Sequence, residues 1–129
     1  MRILFLDDDP QRHFTFQRCT IGRNRTQVEA VDAAHDELLN ATDNHFDIVS
    51  LDHDLEGKIY QPSDEKSGAE VCRFLATMPV EALPQKIILH SFNPTGVSNM
   101  MNILMPISPY TLIVVAPFGS DAYWQALSE

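Results

Sequence analysis

What most constrains this chain is an alternation: five short apolar runs, at residues 3–6, 28–31, 47–52, 86–90 and 112–116, each followed by a stretch of helical character. Runs this short suit buried strands better than helices, and the helical segments between them act as crossovers. The helix starts are explicit. Asp9-Pro10 supplies an N-cap and a proline at the first helical position, opening a helix towards Cys19. Asp32 is placed to cap a second helix, with Ala34, Leu38 and Ala41 on one face and an end near Asn44. Ser67 caps a third, whose Val71, Phe74, Leu75 and Met78 recur at i, i+3, i+4 and i+7. Asn93-Pro94 repeats the cap-plus-proline pattern ahead of Val97, Met100, Met101, Leu104 and Met105, and residues 120–127 form a last short helix.

Strands alternating with helices imply a parallel sheet covered on both faces. Right-handed crossovers make it a doubly wound, three-layer α/β/α domain in the flavodoxin-like strand order 2-1-3-4-5. Residues 1–129 read as one such domain, without internal repeats or linkers. A hydrophobic content of 44% supports a folded globule. Nine Lys and Arg against eighteen Asp and Glu give a formal charge of -9, which repels duplex nucleic acid but leaves room for a small phosphate or an RNA end. Cys19 and Cys72 lie far apart inside helical segments and read as buried thiols in a reducing compartment. No signal-peptide pattern precedes the first run and no segment approaches membrane-spanning length. The expectation is a cytoplasmic protein, a monomer or weak homodimer.

In such sheets ligands bind beyond the carboxyl ends of the strands, where strands one and three meet. The chain puts its polar residues there. Strand one ends in Asp7-Asp8, strand three in Asp52-His53-Asp54 and strand four in His90-Ser91. Several carboxylates in one crevice cannot all ionise cheaply without a counter-charge, and oxygen ligands favour Mg²⁺, with Mn²⁺ as a substitute. Asp7, Asp8, Asp52 and Asp54 are therefore the candidate metal ligands. Simpler roles exist for single members: Asp9 as a helix cap, Asp7 as acceptor for a loop amide. His53 and His90 share the rim and suit acid–base work near neutral pH, while His13, His35 and His45 read as solvated surface residues. Arg12, in the first turn of the first helix, either pairs with Asp9 or reaches over the crevice as a phosphate clamp. In the stretch HSFNPTG, Ser91, Asn93 and Gly96 surround a helix N-terminus suited to an anion, although capping alone needs only Asn93 and Pro94.

These residues resemble the receiver domains of two-component signalling, through Asp7-Asp8, FDIVSLD and SGAEVCRFL. In receivers, acids matching Asp8 and Asp52 hold Mg²⁺ and the one matching Asp52 accepts a phosphoryl group. The chain departs from that pattern in His90-Ser91 at the end of strand four and in Ala116-Pro117, where receivers carry a lysine before the proline. It is more similar to the divergent cyclic-phosphate processing receiver domains, on LFLDDDPQR, DIVSLDHDL, SGAEV and HSFNPTGVSNM. That resemblance implies metal-assisted hydrolysis of a cyclic phosphate, such as a 2',3'-cyclic RNA end. Asp8 and Asp52, with Asp54, would hold the cation, and His53 and His90 would serve as acid and base. Arg12, Ser91, Asn93 and the helix amides would bind the phosphoryl oxygens. Two other readings stay open: a degenerate receiver used for signalling or protein binding, and a cyclic-nucleotide-binding module without catalysis.

Overall fold

Backbone pairing in the computed structural model, which describes residues 1–41 and 45–128, gives one sheet in the order β2-β1-β3-β4-β5, every pair parallel. The strands are β1 (Arg2–Leu6), β2 (Asn24–Val28), β3 (Ile48–Leu51), β4 (Lys86–Leu89) and β5 (Leu112–Val115). The helices are α1 (Pro10–Cys19), α2 (Val31–Asn40), α3 (Gly68–Ala76), α4 (Pro94–Leu104) and α5 (Asp121–Ser128). The three central strands are buried on both faces, as continuous apolar runs in a parallel sheet require. Their side chains alternate between two cores. Leu4, Leu6, Val49, Leu51, Ile87 and Leu89 pack with α2, α3 and α4. Ile3, Phe5, Ile48 and Ile88 pack with Phe16 of α1 and with Tyr123, Ala126 and Leu127 of α5.

Local caps fix where the helices begin, and hence which loops border the strand ends. Asp9 accepts from the Gln11 amide at 2.8 Å, Ser67 from Ala69 at 3.2 Å and Asn93 from Gly96 at 3.0 Å. Several sequence expectations shift. The second strand is not residues 28–31 but the polar NRTQV of β2, an edge strand held by backbone pairing to β1 rather than by an apolar run. The N-cap of α2 is Ala30, without a side-chain cap, while Asp32 stands exposed one position inside the helix, paired with Lys66 at 3.0 Å. That helix stops at Asn40; the expected end near Asn44 lies outside the described residues. Cys72 is buried but Cys19 is exposed. His13, His35 and His45 are half-buried, not solvated. No described helix is long and apolar enough to cross a membrane.

Candidate functional site

The site begins with a period-two pattern. Asp7 follows Phe5, Ser50 follows Ile48 and His90 follows Ile88, so all three side chains emerge on the α1/α5 side of the sheet. All three are completely buried. There they join a hydrogen-bonded chain. His90 Nε2 lies 2.8 Å from Asp7 Oδ2, His90 Nδ1 lies 2.7 Å from Ser50 Oγ, and Ser50 Oγ lies 2.8 Å from the Tyr123 hydroxyl of α5. Burial pushes the His90 pKa down, more strongly than its bond to Asp7 raises it. A neutral imidazole facing a carboxylate carries its proton on Nε2. The chain then has one direction: Tyr123 donates to Ser50, Ser50 to His90 Nδ1, and His90 Nε2–H to Asp7. Burial also raises the Tyr123 phenol, which keeps it a donor. Phe5 stacks on the His90 ring at 5.0 Å and fixes its plane.

Asp7 is held from every side. Its Oδ1 accepts the Asp9 amide at 2.9 Å, its Oδ2 also accepts Arg12 Nη1 at 3.2 Å, and its carbonyl lies 2.5 Å from His13 Nε2. Burial opposes ionisation of Asp7, but the bonds and charges of His90, the Asp9 amide and Arg12 leave its pKa below the ordinary carboxylate value. Asp52 is different. Burial, then the charges of Asp7 and Asp8, push it up to about 8 against the attraction of Arg12. Its Oδ2 is 3.6 Å from Arg12 Nη1 and its Oδ1 accepts the His53 amide at 2.9 Å. Arg12 Nε stands 3.7 Å from Asp9 and its guanidinium carbon 5.2 Å from the centre of the Phe92 ring. Burial works against the Arg12 charge, and Asp7 and Asp52 more than offset it. Arg12 thus makes the ion pair with Asp9 and also reaches the crevice.

The Asp52-His53-Asp54 turn has its own scaffold. His53 is fully buried, with Nδ1 2.8 Å from Asp54 Oδ1 and Nε2 2.8 Å from Ser63 Oγ. Asp54 accepts from the amides of Tyr60 at 2.8 Å and Gln61 at 3.1 Å, and from Asn93 Nδ2 at 3.0 Å. Burial raises the Asp54 pKa less than these partners, His53 first, lower it. Two glycines let helices approach this turn. A Cβ on Gly68 would stand 1.8 Å from the Asp52 carbonyl oxygen, and one on Gly96 would stand 2.4 Å from His53 Cγ. Gly96 therefore serves close packing and the Asn93 cap; its amide faces Asn93, not an open anion site.

Above this floor lies a cleft of about 540 Å³, lined by Asp8, Asp9, Pro10, Arg12, Asp52, Asp54, residues 57–60, Ser91, Phe92 and Asn93. Of the residues read from the sequence, Arg12, Asp8, Asp52, Asp54, Ser91 and Asn93 line it. Asp7 lies beneath, against Arg12 and His90. His53 and His90 do not line the cleft: both are buried with both ring nitrogens engaged, which corrects their reading as acid and base at the rim. Asp54 anchors the loop through the Tyr60 and Gln61 amides and Asn93, and it lies outside the Asp7, Asp52 and His90 group. Ser91 Oγ accepts the Asn93 amide at 3.0 Å, and Asp8 Oδ2 accepts the Gly57 amide at 2.6 Å. Ser50, Tyr123 and His13 were missed.

Among the described residues, Asp7, Asp52 and His90 form a group whose ligand atoms lie within 4.8 Å of one another. His90 presents a proton to Asp7, so the donors suited to a cation are the oxygens of Asp7 and Asp52, with Asp8 on the wall. That donor set fits a hard divalent cation, and the raised pKa of Asp52, caused by burial and by Asp7 and Asp8, reflects the crowded negative charge such an ion would balance.

Strand order and acids at the ends of β1 and β3 define a receiver-like domain. The chain is similar in fold to a CheY-like receiver domain from Methylobacillus flagellatus (TM-score 0.58, 18% identity, 99% of this chain and 94% of that one). It is similar also to the N-terminal receiver domain of RstA from Klebsiella pneumoniae (TM-score 0.63, 17% identity, 99% and 95%). A third is a Burkholderia pseudomallei response regulator with a phosphorylated aspartic acid, a calcium ion and citrate (TM-score 0.59, 15% identity, 98% and 71%). No curated protein matches the sequence. Residues 2–106 match the model of the cyclic-phosphate processing receiver domain, and the chain belongs to that family.

Proposed function

We propose that the domain is a metal-dependent phosphoesterase that opens a cyclic phosphate in the cleft above Asp7 and Asp52. The observation that carries this reading is the pairing of Arg12 with two buried carboxylates at the cleft floor, Asp7 at 3.2 Å and Asp52 at 3.6 Å. A divalent cation bound there by Asp8, Asp52 and Asp7 would polarise a phosphoryl oxygen and activate water. Arg12 turns its guanidinium from the carboxylates to the phosphoryl oxygens, and the Ser91 hydroxyl adds a donor. His90, braced by Ser50 and Tyr123, keeps Asp7 ionised and oriented; it is a positioning residue. His53 with Asp54 holds the loop that forms one wall. The test is incubation with 2',3'-cyclic nucleotides and Mg²⁺ or Mn²⁺. Turnover by the wild type and its loss in Asp52→Asn is expected; no turnover by the wild type above a protein-free control overturns the assignment.

A second reading, a receiver that signals through phosphorylated Asp52, is favoured by the position of that carboxylate at the end of β3. Ala116, after β5 where receivers carry lysine, counts against it. Acetyl phosphate discriminates: a stable acid-labile adduct on Asp52 supports the signalling reading. Tight binding of intact cyclic nucleotide without product would instead describe a binding module.

A further inference from the structure

Three large apolar side chains on the cleft lining are exposed: Phe92 at 58%, Tyr60 at 71% and Ile59 at 82%. Single exposed hydrophobics are ordinary on any surface, but these three border one polar cleft from two separate loops. Their backbone adds an independent observation. Tyr60 has φ 52, a left-handed conformation that a bulky residue rarely adopts. It is held there by Asp54, which accepts the amides of both Tyr60 and Gln61. Strain maintained by a half-buried, hydrogen-bonded anchor, at a cleft mouth, is a mark of function. On the other loop, the Arg12 guanidinium sits over the Phe92 ring, tying the aromatic side chain to the group that faces the carboxylates. Size points the same way. A phosphoryl group and a cation with a few waters, each about 30 Å³, fill only part of a cleft of 540 Å³.

We infer that Phe92, with Tyr60 and Ile59, forms a base-binding rim that takes the base of a nucleoside cyclic phosphate by stacking. This rests on the cyclic-phosphate reading and narrows its substrate class from any cyclic phosphate to one carrying an aromatic base. Aromatic rings suit any base, because each base presents a π-face, so the rim selects nucleotides over other cyclic phosphates without reading sequence. A base stacked on protein is unstacked from its neighbours, and the charge of -9 offers no track for a long polyanion. The ligand is a mononucleotide or a single-stranded terminus.

The experiment compares adenosine 2',3'-cyclic phosphate with 1-O-methylribose 2',3'-cyclic phosphate, by calorimetry and by turnover, on the wild type, Phe92→Ala, Phe92→Tyr and Tyr60→Ala. All three substitutions fall on exposed side chains, and a thermal melt checks that each variant stays folded. The base-bearing ligand should bind the wild type about tenfold more tightly. Phe92→Ala should remove most of that preference, Phe92→Tyr should keep it and Tyr60→Ala should reduce it. Equal affinity for the two ligands, or equal weakening of both by Phe92→Ala, overturns the rim while leaving cyclic-phosphate hydrolysis standing if both are turned over. Base-dependent binding without turnover keeps the rim and removes the hydrolase reading. No binding of either ligand overturns both, and the rim then reads as a protein-contact patch.

Discussion

At the scale of single residues, Asp7 and Asp52 are two carboxylates of one type whose surroundings shift their pKa values in opposite directions. Asp7 has donors on both oxygens, whereas Asp52 has an amide and a longer ion pair. The consequence is a pH dependence with a definite sign. Asp52 has a folded-state pKa raised to about 8, above its unfolded value near 3.8. Between those two values the unfolded chain has lost the proton and the folded chain retains it, so stability falls as pH rises. The slope from this group is about 1.4 kcal/mol per pH unit. Asp7, lowered by its partners, acts the other way: its contribution is present above pH 3.8 and is lost as pH falls through its folded pKa. Metal-free protein should thus melt progressively lower from pH 5 to pH 8, and Asp52→Asn should flatten that decline. A wild-type melting profile that rises over this range would contradict the assignment of Asp52. In Gly96→Ala the new Cβ meets an imidazole pinned on both nitrogens, so the ring cannot swing aside. The expected loss is about 2–3 kcal/mol in denaturant unfolding, with no gain from improved helix propensity.

At the scale of elements, the helix starts were the most legible part of the sequence. Asp9-Pro10, Ser67 and Asn93-Pro94 are local signals, and each cap is made by the side chain that the sequence offers. Strand β2 was not legible, because an edge strand with polar side chains leaves no hydrophobic pattern to read. The site divides in the same way. Asp8, Asp52, Arg12, Ser91 and Asn93 follow from strand ends and helix starts, and they line the cleft. The inward direction of His90 was available in principle, since it shares its face with Ile88, as Ser50 does with Ile48. What closes the chain to Tyr123 is the docking of α5, and no local pattern encodes that. Tyr123 also lies beyond the family-matched residues 2–106, so this helix adds an anchor to the site from outside the shared segment. Tyr123→Phe removes only the hydroxyl and leaves Ser50 without its donor. It should cost about 1 kcal/mol in stability and weaken cation binding by up to about tenfold. A fluorescence titration with Mn²⁺ that gives identical affinity for Tyr123→Phe and wild type would remove Tyr123 from the site's support.

For the whole molecule, the acids at the strand ends make local stability and ligand binding two views of one equilibrium. The sheet brings Asp7 and Asp52 together by pairing Leu6 with Leu51, so the repulsion between them exists only in the folded chain. A cation that binds the folded chain alone stabilises it by mass action, by about 2.7 kcal/mol at a hundredfold excess over its dissociation constant. For 129 residues this corresponds to a rise in melting temperature on the order of 10 °C. Because Asp52 must release its proton to become a ligand, the response at fixed Mg²⁺ or Mn²⁺ should grow from pH 6 to pH 8. Asp52→Asn should abolish most of it and its pH dependence together. Asp36→Asn, exposed on α2 and away from the strand ends, should leave both intact. Differential scanning fluorimetry with and without the cation measures all three proteins in one format. An equal shift in wild type and Asp52→Asn would place the cation elsewhere on this acidic surface, and the buried acids would then be a hydrogen-bonded junction between β1, β3 and β4 rather than a metal centre.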